Sequence, residues 1–195
     1  MIIGIYYISR LKKSYWKWFS FYLILICGQE FFWLLNPKID RFYRETYYIY
    51  LGIPIQYIFL YWLYAFKSLN KRILFITLTA LFTCSLTIAA YFMNIHEVYS
   101  VTTNVGTLLL IILFILESVK QIKTDEILKF KENKMFYINL GLILFYLGTY
   151  PYQIFIRELY ENHFAIWNVY YVYFLLSNCI MYLLFAASFL WGKTR

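Results

Sequence analysis

Six stretches of about twenty mainly apolar residues dominate this chain, and short loops separate them. A helix of that length is long enough to cross the hydrocarbon core of a bilayer, which is about 30 Å thick. The sequence therefore predicts an all-α fold, a polytopic transmembrane helical bundle. The predicted spans cover residues 18–35, 47–66, 73–93, 101–119, 136–156 and 169–191.

A short apolar segment, Met1–Ser9, precedes the first span. As a helix it would cover only about 12 Å, too little to cross a membrane. It has neither the basic region nor the cleavage site of a secretory signal. We expect either a half-helix that lies against the bundle or the remnant of a first helix that starts upstream. No linker or low-complexity tract divides the chain, so residues 1–195 are expected to form one bundle.

The composition argues against a water-soluble domain. Hydrophobic residues make up 63% of the chain and charged residues only 14%, with a mean hydropathy of +0.60. The net charge of +8 comes from basic tracts beside the apolar spans, where membrane topology explains them, so a nucleic-acid partner is not predicted. The three cysteines fall inside apolar spans without a C-x-x-C spacing, and no metal or cofactor site is expected.

The basic residues alternate between loops. Of the eighteen Lys and Arg residues, fourteen lie before the first span, in the second and fourth loops, and after the last span. Loops rich in Lys and Arg stay on the cytoplasmic side of a membrane. The sequence therefore predicts a multi-pass protein whose C-terminus is cytoplasmic.

With this orientation, polar side chains inside the spans gather toward the outer side. Such groups are costly in lipid and usually face a cavity, a partner helix or water. We expect Glu30 to be the charged or proton-titratable group of an outward-facing cavity, because no Lys or Arg lies within a span beyond its ends. The other expected ligand-binding residues are Gln29, Gln56, Asn104, Tyr146, Tyr150, Gln153 and Asn178. The alternative is interhelical hydrogen bonding that only holds the bundle together, at about 0.6 kcal/mol per bond.

Proline and glycine mark special points in two spans. Pro54 and Pro151 lack an N–H group, so each is expected to interrupt the hydrogen bonding of its helix. Gly141 and Gly148 are expected to permit the close approach of a neighbouring helix.

No enzyme class fits the sequence. An intramembrane aspartyl protease needs two membrane-buried aspartates, and both aspartates here lie in loops. Both histidines also lie in predicted outer loops, which excludes a buried Ser–His pair and a pair of haem ligands. The last span has no lysine for a retinal Schiff base. The chain is therefore not expected to be an enzyme.

The run LGLILFYLGTYPYQIF at 140–155 and the closing helix at 168–191 resemble small uncharacterised bacterial membrane proteins of seven helices. In layout the chain is similar to the membrane sensor modules of histidine kinases. This resemblance implies a location in the bacterial inner (plasma) membrane and a role in signal transduction. The sequence contains no kinase portion, so a signal would have to pass to a separate cytoplasmic partner.

The first functional hypothesis is a sensor or receptor-like module that binds a small apolar or amphipathic ligand from the outer side. Its partner would read the loop 120–135, which is either an amphipathic surface helix or a plain solvated connector. The alternatives are a small transporter or channel component in which Glu30 is the coupling group, and a structural membrane subunit that binds nothing. A transporter should carry polar groups into its inner half, where only Asn139 is expected.

Overall fold

Helices fill the part of the chain that the computed structural model describes, residues 15–192 without the side chain of Arg157, and no strand occurs there. A helix satisfies each backbone N–H and C=O group within its own segment, which a lipid environment requires. The all-α prediction is confirmed. The segment Met1–Ser9 lies outside the described residues, so its expected role stays a prediction.

Six helical runs, numbered here in chain order, each cover most or all of one predicted span. They are α1 (Trp16–Leu35), α2 (Arg41–Ser68), α3 (Arg72–Phe92), α4 (Ile95–Lys123), α5 (134–162) and α6 (Phe164–Leu190). A 3-10 helix, Glu126–Glu132, lies in the longest loop. Within the described chain, all of these runs except α5 are long and apolar enough to cross a membrane. Helix α5 is more polar because its second half carries Gln153, Glu158 and Glu161.

Two runs change helix type along their length. In α2, two π-helical segments, Tyr48–Gly52 and Trp62–Ser68, follow the α-helical segments Arg41–Tyr47 and Ile53–Tyr61. In α5, one π-helical segment, Ile143–Leu147, separates the α-helical segments Lys134–Leu142 and Gly148–Asn162. One π segment of each run ends shortly before a proline, Pro54 in α2 and Pro151 in α5. Proline has no N–H group to bond the backbone carbonyl one turn earlier. The wider π turn before each proline changes which backbone N–H and C=O groups pair there. The interruptions expected at both prolines therefore take the form of changes in helix type.

The chain divides into two compact units, the first ending at Thr103 and the second beginning at Asn104, so the division falls within α4. The expectation that residues 1–195 form one bundle stays a prediction.

In the first unit, α1 and α2 form an antiparallel pair. Midway along the pair the rings of Tyr22 and Phe59 stack with their centroids 4.3 Å apart. Nearer the connection, the Trp33 ring lies 5.4 Å from the Tyr47 ring. This pairing places the C-terminal end of α1 beside the N-terminal end of α2.

Helix α2 is central to the first unit because it also contacts α3 and the first part of α4. The Tyr57 ring lies 5.4 Å from the Phe82 ring of α3, and the Tyr57 hydroxyl donates to the Thr103 carbonyl of α4 at 3.2 Å. Ile49, Ala89 and Val98 form a small buried cluster from the same three helices. Much of α3 remains exposed.

In the second unit, α5 packs against α6 at its glycines. A Cβ atom placed on Gly141 would lie 3.3 Å from the Met181 carbonyl oxygen, and one placed on Gly148 would overlap the Tyr173 hydroxyl. Since α5 and α6 are joined by a short connection and these contacts run in opposite directions along them, the pair is antiparallel. The expected close approach of the neighbouring helix is confirmed at Gly141, where the Met181 backbone is near, whereas at Gly148 the space is filled by the Tyr173 side chain.

Helix α5 also contacts the second part of α4. The Asn139 amide nitrogen donates to the Ser118 hydroxyl at 3.0 Å, and the ring of Phe114 lies 6.4 Å from that of Tyr146. Helix α5 therefore lies between α4 and α6 in this unit.

Candidate functional site

Glu30 lies near the C-terminal end of α1 and has a hydrogen-bonding partner in α2. The Tyr48 hydroxyl donates to Glu30 Oε1 at 2.7 Å. A bond from a hydroxyl to a carboxylate at this distance is stronger than a bond between neutral groups. Tyr48 begins the π segment Tyr48–Gly52, and π turns occur often at functional sites. The predicted charged residue thus joins two helices of the first unit.

Three aromatic rings lie at this pair. The centroids of Trp33, Tyr47 and Tyr48 are 5.4, 5.8 and 6.3 Å apart, and these residues are called the ring cluster below. The Arg44 guanidinium carbon lies 5.9 Å from the centroid of the Tyr48 ring, within the range of a cation–π contact. Gly52 leaves room for the same ring, since a Cβ atom there would lie 3.0 Å from Tyr48 Cδ1. The cluster therefore combines apolar ring surface with one carboxylate and one guanidinium group.

Near Glu30, two buried polar atoms of α1 have no hydrogen-bonding partner among the residues that the structure describes. They are Gln29 Oε1, an acceptor, and Trp33 Nε1, a donor. The two residues are four positions apart and so share one face of the helix. Trp33 is only 9% exposed. A buried polar group without a partner costs about 1–3 kcal/mol, so a ligand that bonded these atoms would recover that free energy.

Gln56, the third predicted residue of the first unit, is not part of the Glu30 pair. It is half-buried in α2, eight residues beyond Tyr48. That separation corresponds to about 12 Å along the helix. The site at Glu30 is therefore built from Gln29 and the ring cluster, without Gln56.

The second unit holds the five remaining predicted residues. Tyr146 is buried, and Gln153 Nε2 donates to Thr149 Oγ1 of the same helix at 3.0 Å. Asn104, Tyr150 and Asn178 are half-buried. Asn178 Oδ1 is buried and has no hydrogen-bonding partner in the described part of the chain. The bond of Gln153 stays within α5 and does not link helices, and a single cavity that contains all eight residues stays a prediction.

A second carboxylate, Glu117, was missed by the sequence analysis. It is fully buried in α4, where Gln121 Nε2 donates to Glu117 Oε1 at 2.9 Å and Lys120 Nζ lies 3.8 Å from the same oxygen. Glu117 continues the buried stripe of Leu110 and Leu113 at helical spacing, which is the signal that could have identified it. It lies within the predicted span 101–119, two residues before the end of that span.

Lys134 is the other buried charged residue in the described part of the second unit and lies just outside the predicted span 136–156. Its side chain is 5% exposed, and its stem packs beside Gly192 after the end of α6. The ammonium nitrogen lies 5.8 Å from the centroid of the Phe189 ring. Burial lowers the pKa of Lys134 from 10.5 to about 8.

Neither metal-site geometry nor similarity to known proteins identifies the site. Within residues 15–192, no group of three or more His, Cys, Asp or Glu side chains is placed to hold a metal ion. Comparison with known proteins gives no match among family models, curated proteins or solved structures.

Proposed function

We propose that the protein is a sensor or receptor-like module of a bacterial plasma membrane that binds a small amphipathic ligand from the outer side. The observation that carries this proposal is the hydrogen bond between Glu30 and Tyr48 beside the ring cluster. Glu30 itself is exposed, so its carboxylate is accessible to a ligand. The rings supply apolar contact surface, and Gln29 Oε1 and Trp33 Nε1 supply an acceptor and a donor.

The proposed topology has six crossings, α1 to α6, with the C-terminus in the cytoplasm. Helix α5 is included because it packs along α6 and α4, both of which are long and apolar enough to cross. The distribution of Lys and Arg supports the orientation. In the proposed orientation, the Glu30 end of α1 lies on the outer side of the membrane and the turn between α2 and α3 lies on the cytoplasmic side.

The signal would leave the protein through the loop 120–135. The 3-10 helix in this loop exposes Leu128 and Phe130 among lysines and glutamates. Exposed apolar side chains within a charged segment suit a weak contact with a cytoplasmic protein. Ligand binding at the ring cluster would change the packing of α1 on α2, and the partner would detect the resulting shift of the helices.

Photo-crosslinking in cells tests the ligand site. Benzoylphenylalanine introduced in place of Tyr47 should capture a small non-phospholipid molecule on irradiation, identified by the added mass on the purified chain. Glu30→Gln should reduce this adduct strongly, whereas the control Glu97→Gln, at the start of α4, should leave it unchanged. Adducts with phospholipid alone, or equal yields in both variants, would contradict a ligand site and favour a structural subunit.

A transporter is the second candidate, and Glu117 favours it. A coupling mechanism needs ionisable groups at more than one depth, and Glu117 adds a buried carboxylate in the half of α4 that is cytoplasmic in this topology. Proton flux into vesicles that contain the protein would favour transport over sensing if it is lost in Glu117→Gln as well as in Glu30→Gln.

A further inference from the structure

The turn between α2 and α3 carries an open groove far from the Glu30 pair. Its volume is about 720 Å³. It is lined by Asn70, Lys71, Arg72, Ile73, Leu74 and Thr77. We propose that this groove binds the phosphate of an anionic phospholipid headgroup. The proposal does not depend on the ligand site at Glu30, because the groove lies at the opposite end of α2 from Tyr48.

The charge of the groove is positive and uncompensated. Lys71 and Arg72 both line it, and neither forms an ion pair with a carboxylate in the described part of the chain. The sequence has no Asp or Glu between Glu45 and Glu97. Two neighbouring cations without an acidic partner favour an anion, and Arg and Lys are the side chains that most often bind phosphate.

A third cation lies close to these two. The Phe66 ring centroid is 4.8 Å from Lys67 Nζ and 5.4 Å from the Arg72 guanidinium carbon. The ring therefore holds both cations on the same turn, and it reduces the conformational freedom that phosphate binding would otherwise remove. Lys67 does not line the groove itself but adds to its positive potential.

The apolar surroundings favour a lipid over a free phosphate ion. Ile73 and Ile76, in the first turns of α3, are 78% and 63% exposed. Helix α3 is among the most apolar of the candidate membrane-spanning helices, so the groove opens where the chain enters the membrane. A phosphate at Lys71 and Arg72 would leave the acyl chains beside these isoleucines, and juxtamembrane basic residues are known to attract anionic lipids.

Native mass spectrometry of the full chain in detergent tests the proposal. Titration with phosphatidylglycerol should give a one-to-one complex, and phosphatidylcholine should bind much more weakly. The double variant Lys71→Gln, Arg72→Gln should weaken phosphatidylglycerol binding about 30-fold, because each juxtamembrane cation contributes about one factor of five to six. The control Lys129→Gln, Lys131→Gln removes the same charge from the exposed loop and should leave binding unchanged.

Two further arms identify the source of the phosphate. Ile73→Ser should weaken phosphatidylglycerol binding without a loss of folded protein, and glycerol phosphate alone should not displace the lipid. Displacement by glycerol phosphate would indicate a site for free phosphate esters and overturn the lipid assignment. Equal weakening in the two double variants would indicate nonspecific attraction and overturn the groove as a site.

Discussion

The Tyr48 hydroxyl donates a 2.7 Å hydrogen bond to Glu30 Oε1 and so joins the end of α1 to the π-helical turn of α2. The bond lies at a cluster of three rings and on the helix that carries the unpartnered Gln29 Oε1. A carboxylate near the end of a membrane-spanning helix is costly unless it is partnered or reaches water. Here it is both bonded and exposed, which makes it the best candidate for ligand contact in the first unit.

Removing the Tyr48 hydroxyl should destabilise the first unit modestly. Tyr48→Phe deletes a bond to a charged group but leaves the ring, and because Glu30 is exposed we expect a loss of about 1 kcal/mol in the free energy of unfolding. Tyr50→Phe, two residues along on the same π segment, is the matched control and should have little effect. Thermal unfolding in detergent measures both. Equal midpoints for the two variants would show that the bond contributes nothing to stability.

Enlarging Gly141 should destabilise the packing of α5 on α6. Gly141→Leu would force side-chain atoms against the Met181 backbone, and overpacking of this kind costs about 1–3 kcal/mol. Gly28→Leu is the control because a Cβ atom at Gly28 has no atom within 4 Å. We expect a lower unfolding midpoint for the first variant only. A midpoint that falls equally in both would contradict a close contact specific to Gly141.

Truncating Glu117 should leave polar groups of α4 without their partner. Glu117→Ala removes the acceptor for Gln121 and the carboxylate near Lys120, at an expected cost of about 1–3 kcal/mol in the free energy of unfolding. Glu117→Gln, which keeps an oxygen acceptor, should lose less. The exposed Glu132→Ala is the control. Chemical unfolding that ranks Glu132→Ala as the most damaging of the three would refute the buried role of Glu117.

The stability of the protein should rise with pH through the titration of Lys134. Burial lowers the pKa of this residue from 10.5 to about 8, so between those values the unfolded state binds more protons than the folded state, and the free energy of unfolding increases with pH. Below about pH 8 the full cost of burying the charge is present. Lys134→Met should remove this contribution. Unfolding midpoints of both proteins at about pH 7 and about pH 10 measure the difference, which should shrink at the higher pH. A constant difference would contradict the lowered pKa.

The order and approximate bounds of the described helical runs follow from the sequence because most of them are continuous apolar stretches. Hydropathy alone separates α2 from α3, for example, at the basic turn around Lys71. Helix α5 shows the limit of this signal. Its position is predicted correctly, but its Gln, Glu and Tyr content leaves it outside the set of helices apolar enough to cross a membrane.

The candidate site was only partly predictable. Glu30 was identified because a carboxylate within an apolar stretch is rare, but its partner Tyr48 was not, since tyrosines are frequent here and favour membrane interfaces for general reasons. Gln56 was grouped with Glu30 because both lie in the outer half of their predicted spans. Two residues can share that half and still lie too far apart to meet, and Gln56 is about 12 Å along α2 from Tyr48, the partner of Glu30. Glu117 was missed although it shares a helix face with Leu110 and Leu113, because the local sequence does not show that this face is the buried one.

Cysteine labelling in cells tests the central claim, that the Glu30 end of the first unit is open to the outer side. In a background in which Cys27, Cys84 and Cys179 are replaced by serine, Arg44→Cys reports on the ring cluster and Asn70→Cys on the turn between α2 and α3. A membrane-impermeant maleimide should label Arg44→Cys in intact cells and Asn70→Cys only after permeabilisation. Labelling of Asn70→Cys in intact cells, with Arg44→Cys protected, would contradict an outward-facing site at Glu30.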